Sequence, residues 1–433
     1  DAVRTRLHEA ARRAVDAVGY VGAGTVEFLV DTGDEHGRSL VDSGDGSGAE
    51  VYFLEMNTRL QVEHPVTECV TGTDLVALQI AVAEGHPLRG EAPVPWGHAV
   101  EVRVYAEDPA DGWAPQTGVL RAFDVPGAES TFRVPGGYGL RVDSAVEPGT
   151  EVGVHYDAML AKLVAWAPDR PAAIRMLRGA VRRARVHGVR TNLDLLSAVL
   201  ADEEFVAGRV HTTLLDERLE RWTAPRLSED VVRRYAVAAA LSDAAAAQSS
   251  RTVQRRIPPA FRNVSSAPRT RSYRLAGRET EVAYRDVRGR LAVEGGAVAD
   301  GTVTVLEATP QRVRLECRGV VEAYAVSRTG PYADVDGPSG AATLEAVPRF
   351  VDPAAQVAHG SLLAPMPAAV VAVAVERGQR VARGQPVVVL EAMKMQHTIS
   401  APADGTVAEL SVGAGDQVSS GAVLAVIEGD PDE

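Results

Sequence analysis

Apolar residues recur along the chain with two different periods, which divide it into helical and extended segments. Three segments have helical spacing, the last of them with a basic face: Leu7–Val18, Asp74–Glu84 and Asp169–His187. Three runs have strand character: Gly24–Asp31, Val51–Asn57 and His98–Glu107. Thr32–Glu50 is full of Gly, Asp and Ser, so it predicts a long hairpin loop between the first two strands.

The pattern changes around Arg221–Arg226, which predicts a first domain boundary. Glu229–Gln248 follows as an Ala-rich helix that is apolar on several faces and therefore requires burial on all sides. Beyond a polar linker, Ser249–Arg271, seven short strands are predicted: Ser272–Leu275, Thr280–Tyr284, Arg290–Val293, Thr302–Leu306, Arg312–Cys317, Val320–Val326 and Ala341–Val347. Evenly spaced short strands favour a barrel or a sandwich, and a barrel around the helix satisfies both signals.

A second linker, Val351–Ser361, precedes an internal repeat in which equivalent residues are offset by 37 positions. Five pairs carry the repeat: Ala364-Pro365 with Ala401-Pro402, Gly378 with Gly415, Val381 with Val418, Gly384 with Gly421, and Leu390-Glu391 with Ile427-Glu428. A β-rich repeat of this period predicts two half-barrels related by a pseudo-twofold axis. Lys394 lies at the turn that joins the halves.

Composition excludes several classes of protein. The 433 residues predict two to four domains, and an excess of 58 acidic over 45 basic residues disfavours nucleic-acid binding. No window approaches about 18 uncharged apolar residues, so no membrane span is predicted, and the charged start, Asp1–Arg13, is no secretory signal. Cys69 and Cys317 have neither disulfide-framework nor metal-site spacing, so we expect reduced core cysteines in a cytoplasmic protein.

The densest polar pattern runs from Glu55 to Pro65. Five polar residues occupy alternate positions: Glu55, Asn57, Arg59, Gln61 and Glu63. In an extended chain they would line one face, with Pro65 ending the strand. The alternative is an amphipathic strand whose polar face is only solvated, but such faces are usually built of Lys, Thr and Ser.

Glu27, on the preceding strand, can converge with Glu55 across the hairpin. Paired carboxylates beside the Asn57 oxygen form a hard-oxygen site suited to Mg²⁺ and its bound phosphates. Arg103, in the alternating run Glu101–Tyr105, could face the same cleft. A single strand Glu or Arg is more often a surface residue, so both inferences depend on their neighbours.

Four segments of the chain resemble the C-terminal half of biotin carboxylase, an ATP-grasp ligase: Gly22–Phe28, Phe53–Glu68, Gly97–Asp108 and His155–Leu163. Glu391-Ala-Met-Lys-Met395 resembles the biotinylation site of a biotin carboxyl carrier domain. The segment between these two regions, a long helix followed by strands, is similar in layout to the subunit-contact domain of acyl-CoA carboxylase α subunits. A lipoyl domain shares the repeat architecture, but the paired methionines around Lys394 favour biotin.

The resemblance implies a role for each matching residue. Glu27, Glu55 and Asn57 would bind Mg²⁺ (or Mn²⁺) on the ATP phosphates. Bicarbonate would be held by Arg59, Gln61 and the Val62 backbone, and Glu63 would remove its proton so that it attacks the γ-phosphate. Arg103 would stabilise negative charge on the biotin ureido oxygen, and Lys394 would carry biotin after modification by a biotin protein ligase.

The chain departs from the resembled family in lacking an N-terminal domain and a glycine-rich phosphate loop. Lys162 is the only lysine in the first 224 residues, within a segment that the family uses structurally. We therefore expect an ordered part of a longer polypeptide. The alternative is a carrier and scaffold in which the ATP-grasp remnant has no catalytic role.

Together these patterns predict a multidomain α+β protein. The domains would be 1–224, the C-terminal ATP-grasp half of biotin carboxylase; 225–350, a subunit-contact β-barrel around a long helix; 351–361, a linker; and 362–430, a flattened β-barrel biotinyl domain with a pseudo-twofold repeat. The predicted function is the α subunit of an acyl-CoA carboxylase. It would serve a separate carboxyltransferase (β) subunit, most like the 3-methylcrotonyl-CoA type, with propionyl- or acetyl-CoA as alternatives.

The segment Arg226–Phe350 is predicted to dock that partner in a self-associating hetero-oligomer. The alternative is that it acts only as a spacer, although a spacer would not need its own buried helix and strands.

Overall fold

A computed structural model describes residues 2–31, 50–261, 263, 267–294, 303–350, 360–392, 395–419 and 421–429. The chain folds into two compact units. The first comprises residues 1–102, 128–143 and 163–177, and the second comprises residues 103–127, 144–162 and 178–433. The predicted loop between the first two strands lies largely outside the described residues, as does most of the second predicted linker.

The first unit begins with a helix and an antiparallel hairpin, as the apolar pattern predicts. Its elements are α1 (Ala2–Val18), β1 (Thr25–Asp31), β2 (Glu50–Asn57), α2 (His64–Thr71) and α3 (Leu75–Ala83). Asp74 caps α3 by accepting a hydrogen bond from the Ala77 N–H, which satisfies one of the helix's unpaired donors. Trp166 packs edge-on against Trp96, with ring centroids 4.3 Å apart, and lies in a small apolar cluster with Cys69.

Short strands dominate the region between α3 and residue 190. They are β3 (His98–Tyr105), β4 (Glu107–Asp108), β5 (Ala114–Pro115), β6 (Gly118–Val119), β7 (Ala122–Asp124), β8 (Gly139–Ser144), β9 (Glu151–Val152) and β10 (Met159–Ala167). The longest of them form a three-stranded sheet in the order β3-β10-β8. Side chains on β3 alternate between buried and half-buried, which accounts for the period of two in the sequence.

One predicted helix is too long in the sequence interpretation. The helix α4 spans Arg170–Arg183, and the chain then forms a short strand, β11 (Arg185–His187), which pairs with β7. The end of the basic face predicted for this helix therefore belongs to the strand β11. The prediction was too long because apolar spacing alone does not mark where a helix ends. Three helices follow: α5 (Leu193–Val199), α6 (Glu203–Ala207) and α7 (Leu214–Thr223).

The middle of the chain is a strongly curved sheet around a buried helix, as predicted, and is called the barrel below. The helix is α8 (Glu229–Ser249), and the strands are β12 (Arg269–Leu275), β13 (Arg278–Val287), β14 (Arg290–Glu294), β15 (Val303–Ala308), β16 (Arg312–Cys317), β17 (Val320–Thr329), β18 (Tyr332–Gly337) and β19 (Gly340–Ala346). Their order is β14-β13-β12-β19-β18-β17-β16-β15. The α8 residues from Tyr235 to Leu241 are fully buried, which confirms that the Ala-rich helix is enclosed.

The last segment, residues 360–429, is called the carrier segment. Its strands are β20 (Ser361–Leu363), β21 (Ala368–Val373), β22 (Arg380–Val381), β23 (Pro386–Ala392), β24 (Met395–Ser400), β25 (Gly405–Leu410), β26 (Gln417–Val418) and β27 (Val423–Gly429). They form two four-stranded sheets, β20-β27-β25-β22 and β24-β23-β21-β26.

The predicted repeat is confirmed by strand positions and by turn geometry. The strands β21, β22 and β23 recur 37 residues later as β25, β26 and β27. Gly378 and Gly415 have φ angles of 85° and 94°, and Gly384 and Gly421 have φ angles of 83° and 79°. These left-handed conformations favour glycine, which explains why the repeat retains glycine at these turns.

Among the described residues, no single helix has the length and hydropathy to cross a membrane. The two helices α2 and α3, bent by 102° at their junction, reach that length and composition only as a pair.

Candidate functional site

The hairpin of β1 and β2 brings three of the predicted site residues together. Glu27 lies directly opposite Glu55 in the register, and the register then shifts because Leu54 on β2 is an extra residue without a partner on β1. The Asn57 side-chain amide donates to Glu27 Oε1 at 3.0 Å and to Glu55 Oε1 at 2.9 Å. The amide therefore bridges two carboxylates whose negative charges would otherwise repel each other at the end of the strand.

This arrangement fits a hard cation that is shared with a bound phosphate. The described residues contain no group of three or more His, Cys, Asp or Glu side chains able to hold a metal ion. Mg²⁺, however, is commonly bound by one or two carboxylates together with substrate phosphates and water. Glu27 and Glu55 would supply those carboxylates, and the Asn57 side chain would have to turn its amide oxygen towards the cation to add a neutral ligand.

The predicted extended run from Glu55 to Glu63 is wrong beyond Asn57. The strand ends at Asn57, and residues 58–63 form an irregular segment with a turn before α2. Pro65 is not a strand terminator, because it occupies the first turn of α2, where its missing N–H costs nothing. Alternation of polar residues here arises from a loop and a helix start.

The irregular segment nevertheless brings Arg59 and Gln61 into contact. Arg59 Nη1 donates to Gln61 Oε1 at 2.8 Å. The segment is closed by hydrogen bonds to the Gln61 carbonyl oxygen from the His64 backbone N–H at 3.3 Å and from the His64 ring Nδ1 at 2.8 Å. The order of the chain then places Val62 and Glu63 at the beginning of α2.

Glu63 is the N-cap residue of α2, with φ −81° and ψ 9°, and its side chain makes no capping hydrogen bond. The N-terminus of a helix carries partial positive charge and unpaired N–H groups, which stabilise a carboxylate or a bound anion. Glu63 is exposed, whereas Val62 is half-buried. The cap position therefore gives the predicted general base a favourable electrostatic environment.

Arg103 belongs to the second compact unit and lies on β3. Its backbone position is fixed by Asn192, a buried residue. The Asn192 side chain donates from Nδ2 to the Arg103 carbonyl oxygen at 3.1 Å and accepts from the Tyr105 N–H at 3.0 Å. Asn192 was not predicted, and no local pattern marks it, because its partners lie almost 90 residues earlier in the chain.

Lys394 lies outside the described residues. On either side of it, β23 ends at Ala392 and β24 begins at Met395, and these two residues pair across the sheet. The predicted place of Lys394, at the turn that joins the two halves of the repeat, stays a prediction.

The first unit also contains a buried ionic cluster that sequence reasoning missed. Arg141 Nη1 donates to Glu68 at 2.7 Å, while its Nε and Nη2 bind the two carboxylate oxygens of Asp143 at 2.9 and 2.8 Å. Burial alone would lower the pKa of Arg141, but the hydrogen bonds that Arg141 donates to both carboxylates reverse this and leave its pKa above the ordinary value. Glu68 also accepts from the Leu75 N–H at the start of α3.

Three protein-family models match separate parts of the chain. "Biotin carboxylase C-terminal domain" matches residues 101–217, and "Biotin-requiring enzyme" matches residues 360–427. "Carbamoyl-phosphate synthase L chain, ATP binding domain" matches residues 1–91. The chain therefore contains a biotin carboxylase C-terminal domain over residues 101–217 and a biotinyl domain over residues 360–427.

Two curated relatives of this chain are α subunits of acyl-CoA carboxylases. The mitochondrial methylcrotonoyl-CoA carboxylase subunit α of Rattus norvegicus is 34% identical over 98% of this chain and 58% of its own length. The propionyl-CoA carboxylase α chain of Ruegeria pomeroyi is 33% identical over 99% of this chain and 64% of its own length. The chain thus spans roughly three fifths of the length of these relatives.

A solved biotin carboxylase domain is also similar. The domain of the Hydrogenobacter thermophilus 2-oxoglutarate carboxylase, in complex with MgADP, ADP and bicarbonate, is 34% identical over 51% of this chain and 44% of its own. The TM-score is 0.43.

Proposed function

We propose that this chain is the biotin-bearing part of an acyl-CoA carboxylase α subunit, which carboxylates biotin with ATP and bicarbonate. One observation carries the proposal: the carboxylate pair bridged by Asn57 occurs in the same chain as the Ala-Met-Lys-Met sequence at the centre of the carrier repeat. The pair suits a metal-bound nucleotide, and the lysine suits a covalently attached carrier. A carrier alone would not need the first site.

In this proposal Glu27, Glu55 and Asn57 hold Mg²⁺ (or Mn²⁺) against the ATP phosphates. The cation, when bound, neutralises phosphate charge and polarises the bond to the transferred phosphoryl group. The protein's own contribution is to keep two carboxylates close before the cation arrives, through the hydrogen bonds of the Asn57 amide.

Arg59, Gln61 and the Val62 backbone hold bicarbonate in this proposal. A guanidinium fork matches a planar oxyanion, and the contact with Gln61 limits the positions that Arg59 can adopt. Glu63 then accepts the bicarbonate proton as the bicarbonate oxygen attacks the γ-phosphate, which forms carboxyphosphate and releases ADP. Its position at the start of α2 places it next to the segment that contains Arg59 and Gln61.

Lys394 would carry biotin, whose ureido nitrogen would accept CO₂ from carboxyphosphate and give up its proton to the phosphate that is left. Arg103 places a guanidinium where negative charge develops on the ureido oxygen. The Asn192 contacts hold the Arg103 backbone in register, so that the side chain begins from a defined point. Attachment of biotin requires a biotin protein ligase as a transient partner.

The acceptor of the carboxyl group lies on another chain in this proposal, a carboxyltransferase β subunit docked through the barrel in a hetero-oligomer. We propose 3-methylcrotonyl-CoA as the acyl substrate, with propionyl-CoA as the alternative, because relatives of both types match at 33–34% identity. We also propose that the complex operates in the cytoplasm, although the animal and plant relatives are mitochondrial.

The proposal is tested in the full-length polypeptide with two substitutions. Lys394→Arg should abolish the streptavidin signal without affecting folding, because arginine keeps the charge and cannot form the amide. Glu63→Gln should abolish biotin-dependent ATP cleavage while biotinylation stays normal. A retained streptavidin signal in Lys394→Arg would contradict the assignment of the carrier lysine, and normal ATP cleavage in Glu63→Gln would contradict the assignment of the base.

A further inference from the structure

A buried group of charged side chains joins the barrel to the region matched by the biotin carboxylase C-terminal domain. Arg121 and His187 come from that region, and Asp334 and Asp336 come from β18 of the barrel. All four lie within the second compact unit. The side chains of His187 and Asp334 are 3% and 2% exposed, so that their charges are removed from solvent.

These four side chains, Arg121, His187, Asp334 and Asp336, are called the joint below. Arg121 and Asp334 form its first half. Arg121 Nε and Nη2 donate to the two oxygens of Asp334, each at 2.7 Å, in a fork that fixes both side chains. Burial would raise the pKa of Asp334, but the hydrogen bonds from Arg121 and Thr343 overcome it and hold that pKa below its ordinary value. Tyr332 lies beneath the Arg121 guanidinium, 4.8 Å from it.

His187 forms the second half, and both of its ring nitrogens face oxygen atoms. Nε2 lies 2.9 Å from Asp336 Oδ1, and Nδ1 lies 3.3 Å from Thr343 Oγ1 and 3.5 Å from Asp334 Oδ1. The Thr343 hydroxyl donates to Asp334 at 2.6 Å, so its single proton is already committed to the shorter contact. Neither nitrogen therefore faces a donor, and each must carry a proton to make a favourable contact.

We propose that His187 is a buried imidazolium that locks the barrel onto the carboxylase region, and that loss of one of its protons loosens this joint. With His187 protonated, the buried cations Arg121 and His187 face the carboxylates Asp334 and Asp336, and the half-exposed Arg185, which lies 3.9 Å from Asp336, has Asp124 at the same distance. A neutral ring would direct a nitrogen lone pair at the oxygens of Thr343 and Asp334. The barrel then has a fixed position on the carboxylase region, which a passive spacer would lack.

Every charged group facing the ring belongs to this arrangement. Asp334 and Asp336 approach from β18, and the neutral Thr343 hydroxyl approaches from β19. Arg121 approaches through Asp334, and Arg185 on β11 lies 3.9 Å from the second oxygen of Asp336. Each carboxylate is thus shared between His187 and an arginine, so that the arginines cannot replace the imidazolium without leaving their own positions.

The protonation state can be observed directly in the unmodified chain. Selective ¹⁵N-histidine labelling with proton-detected NMR should show two bound ring protons for His187 at pH 7, assigned by the loss of these signals in His187→Gln. A ring that carries a single proton at pH 7 would overturn the proposal.

The mechanical role is tested by hydrogen exchange measured by mass spectrometry and corrected for intrinsic exchange rates. In His187→Gln, amides of β7, β11 and β18 should exchange about tenfold faster or more, because a buried charged hydrogen bond is lost. His86→Gln provides the matched control, since His86 is exposed and faces Glu84 only at 3.8 Å. Unchanged exchange at these strands in His187→Gln would refute the joint, even if the NMR experiment shows a doubly protonated ring in the unmodified chain.

Discussion

Removal of the buried Arg141 guanidinium should destabilise the first compact unit, whereas removal of the exposed guanidinium of Arg209, in the second compact unit, should not. Arg141 is 2% exposed and donates three hydrogen bonds to two carboxylates, those of Glu68 and Asp143. Asp143 Oδ1 also accepts from the Phe132 N–H at 2.9 Å, and Glu68 Oε1 accepts from the Leu75 N–H at 2.7 Å. One side chain therefore connects α2, the start of α3, β8 and the loop before it.

The magnitude follows from what remains after the substitution. In Arg141→Met the volume is nearly kept, but two carboxylates stay buried without their cation. Breaking a buried ion pair by removing one partner costs about 3–5 kcal/mol, because the remaining charge is uncompensated. We expect a loss in that range for the free energy of unfolding. Arg141→Lys should lose less, since it keeps the charge and gives up only the fork.

Cys69 provides a local readout, because it is fully buried beside Glu68. Pulsed thiol labelling across a urea series, with Cys69 identified by mass spectrometry, gives the unfolding midpoint of this unit separately from the barrel. Arg209→Met is the matched control: Arg209 makes the same two-bond fork to Glu204, each bond 2.9 Å long, but its side chain is 64% exposed.

The control should leave the Cys69 midpoint unchanged, because water replaces the lost contacts at the surface. In the triple variant that adds Glu68→Gln and Asp143→Asn to Arg141→Met, part of the lost stability should return, since no buried charge remains. If Arg141→Met shifted the midpoint no further than Arg209→Met, the attribution of stability to this cluster would be refuted.

Three further predictions rest on single groups. Burial raises the pKa of the Cys69 thiol to about 11, so iodoacetamide at pH 8 should label Cys69 only after unfolding, and native-state labelling would contradict this. Burial, opposed by a backbone hydrogen bond, raises the pKa of Tyr235 to about 12. The protonated side chain therefore stabilises the folded state fully below the pKa of the unfolded chain, about 10, and this contribution is lost as the pH rises towards 12. A series of unfolding measurements at alkaline pH tests this. Gly360→Ala should lower the melting temperature of the carrier segment more than Gly384→Ala. Both glycines have a positive φ, 86° and 83°, so both substitutions strain the backbone. A Cβ at Gly360 would also clash with the Ile427 carbonyl oxygen, whereas a Cβ at Gly384 would meet open space.

Features that depend on local spacing were predictable from the sequence. The buried helix α8 was recognisable because alanine and valine occupy several of its faces. A helix of this kind cannot expose one polar face to water and must be buried. The carrier repeat was recognisable because each half needs glycine where the backbone enters the left-handed region, as at Gly378 and Gly415. The convergence of Glu27 and Glu55 followed from pairing two neighbouring strands in a hairpin.

Features that depend on distant partners were not predictable. The strand β18 was missed because its sequence, Tyr-Ala-Asp-Val-Asp-Gly, places two aspartates and a glycine among few apolar residues. Asp334 and Asp336 are tolerated there only because Arg121 and His187 lie opposite them, 213 and 149 residues earlier in the chain. Likewise, alternation in residues 55–63 could not distinguish a strand from a loop followed by a helix N-terminus.

The location of buried charge leads to a last prediction, about the independence of the carrier segment. The buried charged residues in the described structure lie outside the carrier segment, whose core is apolar and draws only Ala114 and Val154 from elsewhere. Such a core needs no distant counter-charge to be satisfied, in contrast to the barrel joint. Residues 360–430 expressed alone should therefore unfold in a single cooperative thermal transition and be biotinylated by a biotin protein ligase as fully as the whole chain. A non-cooperative transition would show that contacts outside the segment, rather than its own repeat, hold the two half-barrels together.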